Sequence, residues 1–264
     1  MKSQPAWYWH SLRFLGTVYV LVVAYRSIFP ADYPHRYVFW DSMLSSILIH
    51  RSLAAVEELA WVLQIILIQT FCAAPWARIP VLCASTCMGL VIVTAECFSF
   101  TGTITQSFCW FAWEETCWAI SFAMGLPVYI HLLIANGKLR RRRVEAKGGE
   151  EWGTLFKGKD FGLVMTLFCI GYVPYMAAVD IPSYWKDYQT QQLQSFVPNS
   201  FAEGVWNALT FRNVTHNLSL WQSSLLWKSL CFTLGPWLSM AMMTAPVEVD
   251  EVGIPSECTS SVNV

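Results

Sequence analysis

Residues 42–74 read SMLSSILIHRSLAAVEELAWVLQIILIQTFCAA and contain neither proline nor glycine. About 20 apolar residues are enough to cross a bilayer as an α-helix, so this stretch predicts a membrane span. The same stretch carries Arg51, Glu57 and Glu58 in its interior. Charged side chains at membrane depth are costly and are usually found in functional sites or ion pairs. This stretch therefore decides how the rest of the chain is interpreted.

The polar residues of this stretch share one side of the predicted helix. Because successive residues of an α-helix turn by about 100°, they fall within an arc of roughly 140°. They are His50, Arg51, Glu57, Glu58, Trp61 and Gln64. The pattern predicts one face directed into a bundle and an opposite face suited to lipid.

The composition of the whole chain agrees with a membrane protein. Of its 264 residues, 55% are hydrophobic and 13% are charged, whereas soluble proteins average about 25% charged residues. Most of the nine cysteines lie in or beside apolar runs and no CxxC pair occurs, which favours packing over disulfides or metal binding. We expect an all-α, polytopic helix bundle whose partner is the lipid bilayer, with no nucleic acid and no cofactor.

Apolar runs divide the chain into six predicted transmembrane helices within a single domain, residues 1–245. The predicted spans are Leu12–Phe29, Ser42–Ala74, Val81–Phe100, Ile104–Ala135, Phe161–Val179 and Trp221–Met243. A basic loop, residues 136–160, follows the fourth span, and a long polar loop, residues 181–220, follows the fifth. Residues 246–264 are acidic and predict a disordered tail.

Basic residues set the predicted orientation of the bundle. Loop 136–160 contains the run Arg140–Arg143 together with four lysines, and basic loops favour the cytoplasmic side. Both termini and the acidic tail are then cytoplasmic. Loop 181–220 is non-cytoplasmic and carries glycosylation sequons at Asn213 and Asn217. The expected location is the plasma membrane or an endomembrane.

The spans carry an unusual set of ionisable residues. The pattern Glu-Glu-x-x-Trp begins at Glu57 and again at Glu114, and helical phase and depth place the charges of four spans in the outer half of the bundle. The predicted ion- or ligand-binding residues are Glu57, Glu58, Glu96, Glu114, Glu115, His50, Arg51 and Lys228. Five glutamates exceed the two cations, and such an excess in low dielectric calls for protons or a bound cation.

Three classes of function fit these residues. The first is transport or binding of a proton, a cation, or a small amine or lipidic ligand. A second is a membrane-embedded enzyme acting on a lipid or isoprenoid, because the repeated pattern resembles a motif of integral-membrane lycopene cyclases, although Ala55 and Ala112 stand where those enzymes have proline. A third is a receptor or assembly factor without chemistry, in which the charges form a structural ion-pair network.

Overall fold

A computed structural model describes residues 5–147, 158–210, 217 and 222–243, with side chains described at all of these except 136–147, 158–159, 222–228 and 230–231. The described chain is predominantly helical. The long helices are α1 (Ala6–Ile28), α2 (Ile47–Cys72), α3 (Arg78–Thr105), α4 (Phe108–Lys147), α5 (Gly158–Tyr175) and α8 (Gln222–Met243). The shorter helices are α6 (Ile181–Leu193) and α7 (Phe201–Leu209), and a two-residue antiparallel pair joins β1 (Ala31–Asp32) to β2 (Tyr37–Val38).

Five helical segments of the described chain are long and apolar enough to cross a membrane. They are Ala6–Ile28, Ile47–Cys72, Pro75–Thr105, Phe108–Ala135 and Asp160–Leu193. The prediction of a helical protein is confirmed, and the five segments are consistent with a helical membrane bundle. Helix α8 occupies the position of the predicted sixth span, but nine of its 22 side chains, those at 222–228, 230 and 231, lie outside the described set. The count of six spans therefore stays a prediction.

Helix α4 lies at the centre of the bundle, where it packs against α3, α5 and α6. Helix α1 packs against α2 and α8, and α2 also contacts α3. The shared apolar core includes Ile65, Ile92 and Phe122, which are almost completely buried. Helices α1 to α4 run alternately up and down, so the end of α1, the start of α2, the end of α3 and the start of α4 meet at one end of the bundle, called here the outer end.

The connection between α3 and α4 differs from the sequence prediction. The sequence placed a hairpin at residues 101–103, whereas α3 continues to Thr105 and the link consists of Gln106 and Ser107 alone. Gln106 adopts a left-handed backbone conformation with φ of 59°, which reverses the chain in a minimal number of residues.

The fifth span also extends further than its sequence indicated. The prediction ended it at Asp180 and Pro182, but the helix continues through a π-helical turn, Met176–Asp180, into α6. Local π adjustments allow a proline in a helix because they provide other partners for the freed backbone groups. Pro182 therefore lies in the first turn of α6 instead of ending the helix, and part of predicted loop 181–220 is helical.

Two further segments predicted as loops contain helix. Helix α4 continues to Lys147, so the first half of basic loop 136–160 is helical, although its side chains lie outside the described set. Helix α7 occupies residues 201–209, where an apolar patch at residues 205–209 predicts a short interfacial helix within loop 181–220. Its Ser200 cap accepts a hydrogen bond from the Glu203 backbone N–H at 3.4 Å, as expected for serine at a helix N-cap.

Candidate functional site

Arg51 is the centre of a buried group of charges at the outer end. Its side chain is fully buried, and its guanidinium group contacts carboxyl groups from three helices. Nη2 lies 3.1 Å from the Glu58 carboxylate of α2 and also contacts Glu96 of α3, and Nη1 lies 3.6 Å from Glu114 of α4. The structure thus brings together four of the residues that the sequence singled out, and we call them the carboxyl cluster.

The carboxyl groups of this cluster differ in exposure. The Glu96 and Glu114 side chains are 6% and 4% exposed, whereas the Glu58 side chain is 22% exposed. Glu58 and Glu96 also lie within hydrogen-bonding reach of each other. Glu58 is therefore the member of the cluster with the easiest access to the surroundings.

Tyr33, a residue that the sequence gave no reason to select, covers Arg51 from the loop between β1 and β2. Arg51 Nη1 donates a hydrogen bond of 2.9 Å to the Tyr33 hydroxyl, and the guanidinium carbon lies 5.0 Å from the centre of the Tyr33 ring. Burial raises the pKa of Tyr33 well above its ordinary value, despite the opposing charge of Arg51. A neutral phenol therefore accepts this bond, and a cation–π contact supports it.

Glu57 has a separate partner that the sequence analysis missed. Arg26, in the last turn of α1, donates a hydrogen bond of 2.9 Å to Glu57, and both side chains are at most 10% exposed. The sequence analysis did not include Arg26 among the candidate site residues. This pair lowers the number of unmatched carboxyl groups and attaches α1 to α2.

Glu115 lies about 100° around α4 from Glu114 and is close to another acid, Asp180. It lies close enough to Glu114 and Asp180 for mutual electrostatic repulsion, and Tyr184 of α6 is also near this group. Asp180 is the last residue of the π turn, and such turns occur frequently at functional sites. Among the residues with described side chains, no arginine, lysine or histidine forms an ion pair with Glu115 or Asp180.

The two remaining sequence candidates have different outcomes. His50 is fully buried on α2, and its ring packs 5.6 Å from the ring of Tyr25. It therefore lies away from the Glu114 side of the cluster, against α1. Lys228 belongs to helix α8, but its side chain is outside the described set, so its predicted pairing stays a prediction.

The two tryptophans of the repeated Glu-Glu-x-x-Trp pattern meet inward of the charges. The rings of Trp61 and Trp118 each lie 5.8 Å from the ring of Phe122. Phe168 and Tyr172 of α5 join the same group at 5.1 and 5.3 Å from Phe122. Phe122 is thus the centre of an aromatic group contributed by α2, α4 and α5.

A second polar contact joins three helices deeper in the bundle. Ser239 Oγ of α8 donates a hydrogen bond of 2.7 Å to Gln64 Oε1, and Gln64 Nε2 donates to the Leu12 backbone oxygen of α1 at 3.0 Å. All of these polar groups are neutral and satisfied. We interpret this contact as a device that fixes the packing of α1, α2 and α8.

Within the described part of the chain, no three His, Cys, Asp or Glu side chains are placed so that they could hold a metal ion. The carboxyl groups converge on a guanidinium group instead.

Comparison with known proteins gives no match among family models, curated sequences or solved structures. The interpretation of the site therefore depends on its own geometry.

Proposed function

We propose that this protein is a membrane carrier that takes up a proton, or a small cation in its place, at the carboxyl cluster. Glu58 is the residue that exchanges with the surroundings. Arg51 holds the cluster together, and Glu115 and Asp180 extend the negative region toward α5 and α6.

The observation that carries this proposal is the convergence of Glu58, Glu96 and Glu114 on the buried guanidinium group of Arg51. One guanidinium group balances the charge of one carboxylate, so low dielectric favours a proton or a bound cation on the others. Among the residues with described side chains, Arg26 pairs with Glu57 and Arg51 with Glu58, Glu96 and Glu114, while Glu115 and Asp180 have no ion-pair partner. Unpaired charge of this kind is expensive in low dielectric, and ionisable residues inside membrane spans commonly form proton relays or ion pathways.

A flux experiment tests the proposal directly. The full chain is reconstituted in liposomes that contain a pH-sensitive dye, and a potassium diffusion potential set by valinomycin drives proton entry. We expect faster acidification than in protein-free liposomes, and Glu58→Gln should reduce the rate to the protein-free level, because an amide cannot carry the proton. External tetramethylammonium should slow wild-type flux if a cation can replace the proton.

The matched control is Glu203→Gln, the same chemical change at an exposed position on α7. It should conduct protons as the wild type does. Wild-type flux equal to that of protein-free liposomes would overturn the proposal, as would an unchanged rate in a correctly folded Glu58→Gln variant. Either result would favour a purely structural ion-pair network.

For the arrangement in the membrane we propose six spans with α8 as the sixth, both termini in the cytoplasm, and residence in the plasma membrane or an endomembrane of a secretory pathway. The basic residues of loop 136–160 support this orientation. The outer end of the bundle, with its carboxyl cluster, would then face the lumen or the cell exterior, the side that carries the sequons.

Glycosylation provides a test of that orientation. Asn217 lies exposed in the structure, and Asn213 belongs to residues outside the described set. In a eukaryotic expression host, treatment with an N-glycosidase should increase the gel mobility of the wild type and leave a double Asn213→Gln/Asn217→Gln variant unchanged. A full-length, membrane-inserted wild-type protein whose gel mobility does not change on this treatment would contradict the proposed orientation.

A further inference from the structure

The loop between α1 and α2, residues 29–46, covers the outer end of the carboxyl cluster, and we call it the outer hairpin. It is fastened to three helices: Trp40 Nε1 donates to the Ile28 backbone oxygen of α1 at 2.7 Å, Arg36 Nη2 donates to the Thr103 oxygen of α3 at 3.0 Å, and Tyr33 accepts from Arg51 of α2. These bonds keep one side of the outer hairpin in place.

The opposite side of the outer hairpin meets α6 through a histidine. His35 Nδ1 lies 2.9 Å from Asp32 in β1, and Nε2 lies 3.7 Å from Asp187 of α6. The imidazole ring stacks on Tyr37, with 5.3 Å between ring centres, and packs on Phe108 of α4. The His35 and Asp187 side chains are 37% and 39% exposed, so solvent protons reach them.

The charged groups that face His35 are acidic, and they come from the outer hairpin and from α6. Asp32 and Tyr37 face it from the outer hairpin and Asp187 faces it from α6, while Phe108 of α4 contributes no charge. A protonated imidazole therefore bridges two carboxylates, whereas a neutral one can donate to only one of them.

The titration of His35 sets the pH at which this bridge exists. Burial alone would lower the pKa of His35, but the hydrogen bond to Asp32 and the charges of Asp32 and Asp187 outweigh it, so the pKa lies above its ordinary value of 6.5. A raised pKa means that the charged contact is complete below 6.5 and is lost as the pH rises through the raised value.

A layer of aromatic rings lies between this bridge and the charges. Tyr184 of α6 packs 6.2 Å from Phe108 and 5.9 Å from Phe111, and Tyr33 of the outer hairpin lies 6.1 Å from Phe111. Tyr184 is also close enough to Glu115 and Asp180 for electrostatic interaction with both. Separation of α6 from the outer hairpin would therefore part the rings that cover these acids.

We propose that His35 is a pH-sensitive clasp. When protonated it joins the outer hairpin to α6 and closes the outer end of the carboxyl cluster, and when neutral it releases α6 and opens that end. The role of this closure rests on the proposed function, because that function defines the site that is closed. The contact itself rests on the geometry of His35, Asp32 and Asp187.

Hydrogen exchange of the full chain in nanodiscs tests the clasp. After correction for intrinsic exchange, amides of the outer hairpin and α6 should lose about threefold in protection between about pH 5.5 and about pH 8.5, the size expected of a partly exposed ion pair. His35→Gln should show the low protection at both pH values. His35→Arg should show the high protection at both, because arginine keeps its charge.

A control and a second partner separate the clasp from general effects of pH. Asp41→Asn removes an exposed carboxylate of the same loop and should behave as the wild type, whereas Asp187→Asn should lose protection at acid pH. Equal wild-type protection at both pH values would overturn the clasp, as would a pH-dependent loss in His35→Gln. If hydrogen exchange gives the expected result but Glu58→Gln leaves the proton flux unchanged, the clasp is supported and the proposed function is wrong.

Discussion

Replacing Arg51 with methionine is expected to lower the free energy of unfolding by about 3–5 kcal/mol, the usual cost of removing one partner of a buried ion pair. The reason is that Arg51 is the cation shared by Glu58, Glu96 and Glu114, of which Glu96 and Glu114 are almost completely buried. Denaturant titration of the purified protein in detergent micelles, followed by tryptophan fluorescence, measures the loss.

Two comparisons identify the cause of that loss. Adding Glu96→Gln to the Arg51 variant should recover part of the stability, because one of the unpaired buried charges is removed with its partner. Arg13→Met, at an exposed position of α1, should change the stability by less than about 0.5 kcal/mol. If the Arg51 and Arg13 variants were equally stable, the carboxyl cluster would not depend on Arg51.

Replacing Gly162 with leucine is expected to cost about 3 kcal/mol, at the upper end of the usual overpacking effects. Gly162 lies where α5 meets α4, and even a Cβ atom there would come within 2.7 Å of the Leu133 backbone nitrogen and 2.9 Å of the Tyr129 oxygen. Backbone atoms of a helix cannot move aside as a side chain can, so α5 would have to leave α4. The measurement is the same denaturant titration.

Gly171 provides the matched control on the same helix. A Cβ at Gly171 would have no heavy atom within 4 Å, so Gly171→Leu should leave the stability unchanged or slightly raised, since leucine is a better helix former than glycine. A large loss in both variants would mean that leucine disturbs α5 itself. A loss in neither would mean that α4 and α5 are not packed as described.

The sequence was sufficient to find the polar faces of the long helices. In α2, His50, Arg51 and Gln64 are buried while Val56 and Leu63 on the other side are exposed, because a single helical period relates residues that are close in sequence. The same reasoning placed Glu114 and Trp118 together on the inner side of α4. Depth within each span then predicted that Arg51, Glu58, Glu96 and Glu114 could meet, and the structure brings these four together.

The contacts that the sequence did not indicate come from residues with no periodic pattern. Tyr33 and Arg36 belong to a loop, and nothing local to the loop shows that it folds back over Arg51 or reaches Thr103. Arg26 lies in the last turn of α1, where a basic residue also fits a position at the membrane surface. The packing of α1 against α2 places Arg26 in the buried pair with Glu57 instead of at the membrane surface.

The π turn before α6 illustrates a different limit. Pro182 and Asp180 are typical of a helix end, and local propensity favours one there. The continued helix depends on a rearranged backbone hydrogen-bond pattern and on packing against α4, neither of which has a residue signature. As a result, the sequence analysis placed Asp180 outside the site that it joins in the structure.

The two-residue link between α3 and α4 limits how the carboxyl cluster can rearrange. Because Gln106 and Ser107 alone connect these helices, Glu96 and Glu114 sit on a rigid helical pair that cannot spread apart at this end. Arg51 and Glu58 belong to α2, and Asp180 is the last residue of the π turn that leads into α6. If the proposed transport holds, α3 and α4 would keep their relative position while α2 and the segment from α5 to α6 move against them.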